Sequence, residues 1–345
     1  MNDSAIRSPD PEVLKSEPRF TDYRGTKSLV TGGLGFIGSN LVHALHLLGS
    51  RIIVIDSLLP GGGGNRFNLD GIDADIDLRI ADLRDEAAIG AAVEGCDFIF
   101  NLAADSSHLG SLSDPFRDLD GNVRAQLVFL ESVRQQAPEA RVVYAGTRSA
   151  YGLIQTRPVS ESHPLVPTEI NSANRAAADL YHIAYHYAHG LRTSTLRLTN
   201  TYGPRMLLRQ PQAFINWFVR LAVEGGTIKL YGTGEQLRDL EFVDDTIRGF
   251  LLTAITPQAT GQTFNLGSGE PVSLREIAET LLSLSGHGRI ECVPFPDDAR
   301  RIEIGDYVAD TTRIWAACGW RAEVPLRDGL ERSLRFFSRY REHYL

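Results

Sequence analysis

Thr31-Gly-Gly-Leu-Gly-Phe-Ile-Gly38 reads T-G-x-x-G-x-x-G and lies between the apolar run Ser28-Leu29-Val30 and a segment with helical periodicity. In that segment Ile37, Leu41, Ala44, Leu45 and Leu48 recur on one helix face. A glycine-rich turn from strand into helix brings main-chain N–H groups against a pyrophosphate at the helix N-terminus. A Cβ at Gly32 or Gly35 would hold the phosphates off, and Gly38 lets the helix approach the strand. Phe36 and Ile37 open the helix that faces the pyrophosphate. Arg51-Ile-Ile-Val-Ile-Asp56 supplies a second strand ending in an acid, about 20 residues on, as a dinucleotide site requires. The Asp56 carboxylate can accept from both adenosine ribose hydroxyls and would repel a 2′-phosphate, which favours NAD. Arg66 is the opposing observation, because a nearby arginine can accommodate the phosphate of NADP. Asp82-Leu83 ends a third strand and edges the adenine, unless Asp82 is only a solvated helix-start residue.

Strand patterns at Lys27–Thr31, Arg51–Ile55, Asp77–Ile80, Phe98–Leu102, Arg141–Ala145 and Thr193–Leu198 alternate with helical ones. The helical patterns fall at Phe36–Leu48, Asp85–Val93, Phe116–Gln136 and Ile170–His189. This alternation predicts an α/β fold: a doubly wound parallel (Rossmann) sheet, ligands lying beyond the carboxyl ends of its strands. After Gly203-Pro204 the rhythm changes to a helix around Ala213–Val223 and short strands at Ile228–Tyr231 and Ile290–Val293. The expected division is a flexible extension over 1–24 and a Rossmann domain over 25–203, with 240–266 returning to it. A smaller mixed α/β substrate domain is expected from 204–239 and 267–345. The proline-bearing extension could instead be an ordered strap across a partner subunit.

The 345 residues carry a net charge of −8, which argues against a nucleic-acid binder. Cys96, Cys292 and Cys318 are far apart and odd in number, as thiols in a reducing compartment would be. No apolar stretch is long enough to span a bilayer and no secretory signal is visible, so a cytoplasmic location without membrane partners is expected. His182, His186 and His189 share a helix face, but without an H-E-x-x-H pattern no metal is expected.

Several stretches now fall in the order of one family: Thr31–Gly38, Asp56, Asp82-Leu83, Asn101-Leu-Ala-Ala104, Leu198-Thr-Asn-Thr-Tyr-Gly-Pro204 and Tyr231-Gly-Thr-Gly-Glu-Gln-Leu-Arg-Asp239. Over residues 25–340 the chain resembles an extended short-chain dehydrogenase/reductase of the NAD-dependent epimerase/dehydratase type. The resemblance implies NAD, held also by Ala103, and a nucleotide-sugar between the two domains. By that resemblance Asn200 contacts the substrate diphosphate, while Arg238 and Arg301 clamp it; guanidinium forks suit a diphosphate. It also implies a homodimer through the helices near Phe116–Gln136 and Ile170–His189. Leu119, Val123, Leu127, Leu130 and Val133 form a stripe that serves core or interface.

Thr147 falls where the family carries a catalytic Ser or Thr. Downstream, the family's Tyr-x-x-x-Lys pair of base and ribose-holding cation is replaced by Asn171 and Arg175. The i, i+4 spacing keeps both on one helix face. Arg175 can still place its charge on the nicotinamide ribose, but an amide cannot take a proton. Three readings stay open. Another group supplies the base, from Tyr151, Tyr144, His108, Asp105 or Glu169; water or the substrate carries the proton; or the fold binds its ligands without turnover. In the family's 4,6-dehydratase branch the Thr is followed by Asp-Glu, and here by Arg148-Ser149, which disfavours elimination. The leading expectation is an NAD-dependent nucleotide-sugar epimerase, most simply a UDP-hexose 4-epimerase. The alternatives are a dehydratase or oxidoreductase of the family, or a silent NAD/nucleotide-sugar binder.

Overall fold

The computed structural model describes residues 8–208, 214–295 and 305–345, with residues 108 and 109 described by their backbone alone. The first strands are β1 (Lys27–Thr31), β2 (Arg51–Asp56), β3 (Asp77–Ile80), β4 (Phe98–Asn101), β5 (Arg141–Thr147) and β6 (Arg192–Leu198). Then follow β7 (Asn200–Tyr202), β8 (Thr227–Tyr231), β9 (Leu237–Phe242), β10 (Thr263–Leu266), β11 (Pro271–Ser273) and β12 (Arg289–Val293). Seven of these form one sheet in the order β10-β6-β5-β4-β1-β2-β3. All its pairings are parallel. Strand order reverses between β1 and β4, whose ends meet at the Thr31–Asn101 register. A ligand crevice belongs there.

Both faces of this sheet are covered, so its strands are apolar on both sides. Leu29, Ile53, Ile55, Ile99 and Val142 pack on one face with Ile89, Phe129, Leu130 and Val133. Val30, Val54, Phe100 and Val143 pack on the other with Leu41, Leu45, Phe250 and Leu251. Beyond β6 the chain enters β7, which joins β9 and β11 in a second sheet, while β8 and β12 form a parallel pair. β10 lies beside β6, so the Thr263–Leu266 segment does return to the main sheet.

Two expectations need correction. Residues 8–24 are not a loose extension: they form a helix at Pro11–Ser16 and a 3-10 turn at Pro18–Tyr23, packed on their own chain. Leu14, Phe20 and Tyr23 enter the core, and the Tyr23 hydroxyl donates to the Leu251 carbonyl at 2.7 Å. The Ser8 hydroxyl and the Asp10 N–H both donate to Asp244. Second, the Phe116–Gln136 helix is interrupted. Helix Pro115–Leu119 passes through one π turn, Asp120–Arg124, into helix Ala125–Gln136. The extra residue of a π turn rotates the preceding segment, a distortion common at functional sites. Here it sets Asn122 against the main chain of Asp105, accepting from its N–H at 3.1 Å and donating to its carbonyl at 2.9 Å.

The buried Tyr23 predicts that Tyr23→Ala lowers unfolding stability by about 3–5 kcal/mol in urea titrations. An unchanged midpoint would mean that this segment does not dock. On β9, Glu241 is buried among Asp239, Asp245 and Thr246, whose hydroxyl is a neighbouring donor that opposes the rise of its pKa. Burial first, then the two aspartates, push its pKa well above the ordinary value. The folded state therefore keeps a proton that the unfolded chain releases above a pH of about 4.3. Stability is thus lost as pH rises from there. Glu241→Leu is expected to stabilise the protein by about 1–3 kcal/mol at pH 8. The gain should shrink toward pH 4; equal or lower stability at pH 8 would contradict this.

Candidate active site

The turn after β1 is built by close approach. Gly32 has φ +68°, and a Cβ there would lie 3.0 Å from the Ala103 nitrogen. A Cβ on Gly38 would lie 2.2 Å from the Gly32 carbonyl oxygen, so the helix Phe36–Leu47 can sit this near the turn only with glycine there. Gly35 is the N-cap and offers no side-chain cap, leaving the first-turn amides of Phe36 and Ile37 for an anion. Asp56, at the end of β2, is pre-set. Its two oxygens accept from the N–H groups of Leu34 (3.0 Å) and Leu58 (2.9 Å), leaving lone pairs for ribose hydroxyls. Burial raises its pKa, and those two main-chain donors oppose the rise. Below the crevice the Thr31 hydroxyl donates to Asn101 at 2.8 Å and accepts from the Leu102 and Ala103 N–H groups at 3.1 Å each. The Asn101 amide donates in turn to Gln126 at 2.6 Å. Glycine cradle, open helix end and strand-end acid together fit an adenine dinucleotide. Asp82, expected at the adenine, holds Arg84 at 2.7 Å, while Leu83 is buried in the core. Arg66 is exposed at the start of a short 3-10 turn.

Thr147 ends β5 and caps the 3-10 turn Arg148–Tyr151, accepting from the Ser149 N–H at 3.2 Å. Arg175 comes to the same strand end. Its Nη2 donates to the Ala145 carbonyl at 2.5 Å, its guanidinium lies 5.8 Å from the Tyr144 ring centre, and its buried Nε has no hydrogen-bond partner among the described residues. This is a fixed positive charge with a donor to spare. Asn171 is otherwise engaged: it is buried, and Nδ2 donates to the Asp105 carbonyl at 2.8 Å and to Asp118 at 2.7 Å. The other oxygen of Asp118 accepts from Asn174 at 2.7 Å.

The candidate bases separate by burial. Tyr151 is enclosed, donates to Asn265 at 2.6 Å, and has its pKa raised by burial. Tyr144 is enclosed too, stacked on His182, with its pKa raised for the same reason. Glu169 caps the helix Ile170–His189 through the Ser172 N–H at 2.8 Å. The side chain of His108 lies outside the described residues. Asp105 remains. Its carboxyl is 20% exposed, accepts from the Ser107 N–H, and sits 3.5 Å from Arg117. Its main-chain carbonyl accepts from the Asn171 amide, so the Asp105 backbone lies against the helix position that Asn171 occupies.

In the second sheet β7 and β9 are paired, with Asn200 opposite Leu240. Asn200 donates to the Asp239 carbonyl at 3.3 Å, and Arg238, nearly buried, donates to the Leu237 carbonyl at 2.9 Å. The Asp239 carboxylate accepts from Ser268, Gly269 and Ala309, which fixes this edge. Arg301 lies outside the described residues. His182 and His186 each engage a main-chain carbonyl through Nδ1, of Ala178 and Leu191. Burial lowers the His182 pKa to about 4, keeping it neutral. Sequence reasoning missed Asp118 and Asn122. Nothing in the local pattern marks Asp118, because its partner Asn171 is 53 residues away.

Comparison with known proteins gives one answer. The family described as NAD dependent epimerase/dehydratase matches residues 28–267. The chain is 30% identical over 315 residues to a UDP-glucose 4-epimerase of Mycolicibacterium smegmatis, covering 90% of this chain and 98% of that one. It is 31% identical over 323 residues to a dTDP-glucose 4,6-dehydratase of Actinoplanes sp., covering 90% and 97%. Among solved structures, the dTDP-glucose 4,6-dehydratase DesIV of Streptomyces venezuelae, determined with NAD bound, superposes with a TM-score of 0.82. It is 31% identical, and the match covers 92% of this chain and 98% of DesIV. The parallel sheet, the dinucleotide cradle and these matches agree: the chain belongs to the NAD-dependent epimerase/dehydratase family, uses NAD, and is a nucleotide-sugar-modifying enzyme by type.

Proposed function

We propose that this protein is a nucleotide-sugar epimerase, most simply a UDP-hexose 4-epimerase, in which the Asp105 carboxylate takes the place of the missing tyrosine. The observation that supports this is the bond from the Asn171 amide to the Asp105 main-chain carbonyl at 2.8 Å, which brings the backbone of an acidic residue against the helix position that matches the family's base. Bound NAD supplies the reversible hydride acceptance that inversion at a sugar carbon needs. Thr147 offers a hydroxyl to the reacting sugar oxygen, and Arg175 holds its positive charge over the nicotinamide ribose. Asn200 and Arg238 hold the diphosphate, joined by Arg301 if the resemblance extends to it. Arg148-Ser149 after Thr147 supplies no carboxylate to expel a hydroxyl, which supports epimerisation over dehydration. We expect a homodimer, since Phe116, Leu119, Leu180 and Tyr187 are exposed on the two helical segments that the family resemblance assigns to pairing; a cytoplasmic location remains the expectation drawn from the sequence.

Incubation with NAD and UDP-glucose should yield UDP-galactose, resolved by ion-exchange chromatography. Asp105→Asn should lower turnover about 10²–10⁴-fold, the contribution of a positioned general base, while NAD affinity stays within about threefold. A wild-type rate in Asp105→Asn would remove Asp105 from the chemistry. If NAD and nucleotide-sugars bind but no product forms from any UDP- or dTDP-sugar, the fold is a silent binder instead.

A further inference from the structure

Asn68 sits in the 3-10 turn Arg66–Leu69, on the loop that follows Asp56, and is buried. Its side-chain amide donates to the Leu34 carbonyl at 2.8 Å, and the Asn65 N–H donates to the same carbonyl at 2.9 Å. Leu34 is the centre of the glycine-rich turn. Its C=O shares one planar peptide with the Gly35 N–H, which donates to the Gly32 carbonyl at 3.0 Å. The two groups of a planar unit turn together, so Asn68 holds one edge of the peptide that immediately precedes the uncapped helix end. At that end the amides of Phe36 and Ile37 are left for an anion.

What holds Asn68 lies far away along the chain. The Tyr344 hydroxyl donates to its amide oxygen at 2.6 Å across a separation of 276 residues. Only one orientation of the amide then satisfies both ends, oxygen toward Tyr344 and nitrogen toward the Leu34 carbonyl. The Tyr344 ring is buried against Phe336 and Phe337, and the adjacent His343 stacks on Phe67 with ring centres 3.5 Å apart. The Asn65 amide donates to the His343 carbonyl at 3.2 Å, which seats the short helix Arg341–Tyr344 on the same turn. From the other side the Asn68 main-chain carbonyl accepts from His43 at 2.9 Å and from Arg205 at 3.2 Å. His43 belongs to the helix Phe36–Leu47 itself. Burial first, then the Arg205 charge, lower its pKa to about 3, so it stays neutral. A buried amide is stable where its polar groups are paired. Those of Asn68 are paired with the glycine turn, the helix it opens and the helix Arg341–Tyr344.

We propose that Asn68 is a positioning residue of the NAD site, and that Tyr344 acts on cofactor affinity through it. The inference rests on NAD binding and is independent of which sugar nucleotide the enzyme takes. It is tested by calorimetric titration of the cofactor-stripped full chain with NAD, well below the melting temperature. The proteins compared are wild type, Tyr344→Phe, Asn68→Leu and the double variant. Tyr344→Phe keeps the ring and removes only the hydroxyl; it should weaken NAD binding about three- to tenfold, as the loss of one hydrogen bond does. Asn68→Leu should weaken it at least as much. The double variant should bind NAD no more weakly than Asn68→Leu, because the Tyr344 hydroxyl has then lost the group it works through. Thermal melts of each protein separate this role from a merely structural one, which would lower the melting temperature and leave the NAD affinity of the folded protein unchanged. Wild-type NAD affinity in both single variants overturns the proposal, and so do losses that multiply in the double variant. Should Asn68→Leu not fold, Tyr344→Phe decides alone: weakened NAD binding supports the proposal and wild-type affinity overturns it. Wild type that takes up no NAD contradicts the cofactor assignment together with this inference, a failure distinct from the others.

Discussion

The closeness of one helix to one turn governs this structure. The helix Phe36–Leu47 lies so near the β1 turn that a methyl group on Gly38 would overlap the Gly32 carbonyl. That contact aims the uncapped helix end into the crevice where strand order reverses. It also places the Leu34 N–H 3.0 Å from Asp56, so that carboxylate is held before any ligand arrives. A site prepared in this way loses little conformational freedom on binding.

From that fixed end the chain builds the rest of the cleft through main-chain contacts. Asp105 presents its carboxylate because Asn122 and Asn171 grip its peptide groups. The buried Asp239 carboxylate ties β9, which carries Arg238, to the loop after β10 and to Ala309. Asn40 adds a bridge from the dinucleotide-binding helix to the second half of the site, donating to the Pro204 carbonyl at 3.0 Å and accepting from Arg205 at 2.8 Å. Burial lowers the pKa of that arginine to about 10, still well above neutrality, so it remains a cation.

The sheet was legible in the sequence because its strands are short apolar runs separated by helices with one apolar stripe, a pattern local to each segment. The dinucleotide cradle was legible for the same reason: glycine spacing and a strand-end acid are short-range features. Residues 8–24 were misread because Leu14, Phe20 and Tyr23 are scattered among polar residues and prolines, and their docking surface lies more than 200 residues away, at Asp244 and Leu251. The π turn left no trace, since an added residue inside a helix preserves the apolar stripe on either side. A proton acceptor could not be chosen from sequence among Tyr151, Tyr144, His108, Asp105 and Glu169. Burial and hydrogen bonding separate them, and both are set by packing across the whole domain.

If the β1 turn and Asp56 form a site ready for a dinucleotide with a free 2′-hydroxyl, the protein must tell NAD from NADP. Calorimetric titration of the cofactor-stripped protein with NAD and, separately, NADP measures it directly. Saturable binding of one NAD per chain is expected, with NADP weaker because its 2′-phosphate meets the Asp56 carboxylate. Heat signals no larger than dilution for both cofactors, or a clear preference for NADP, would contradict it.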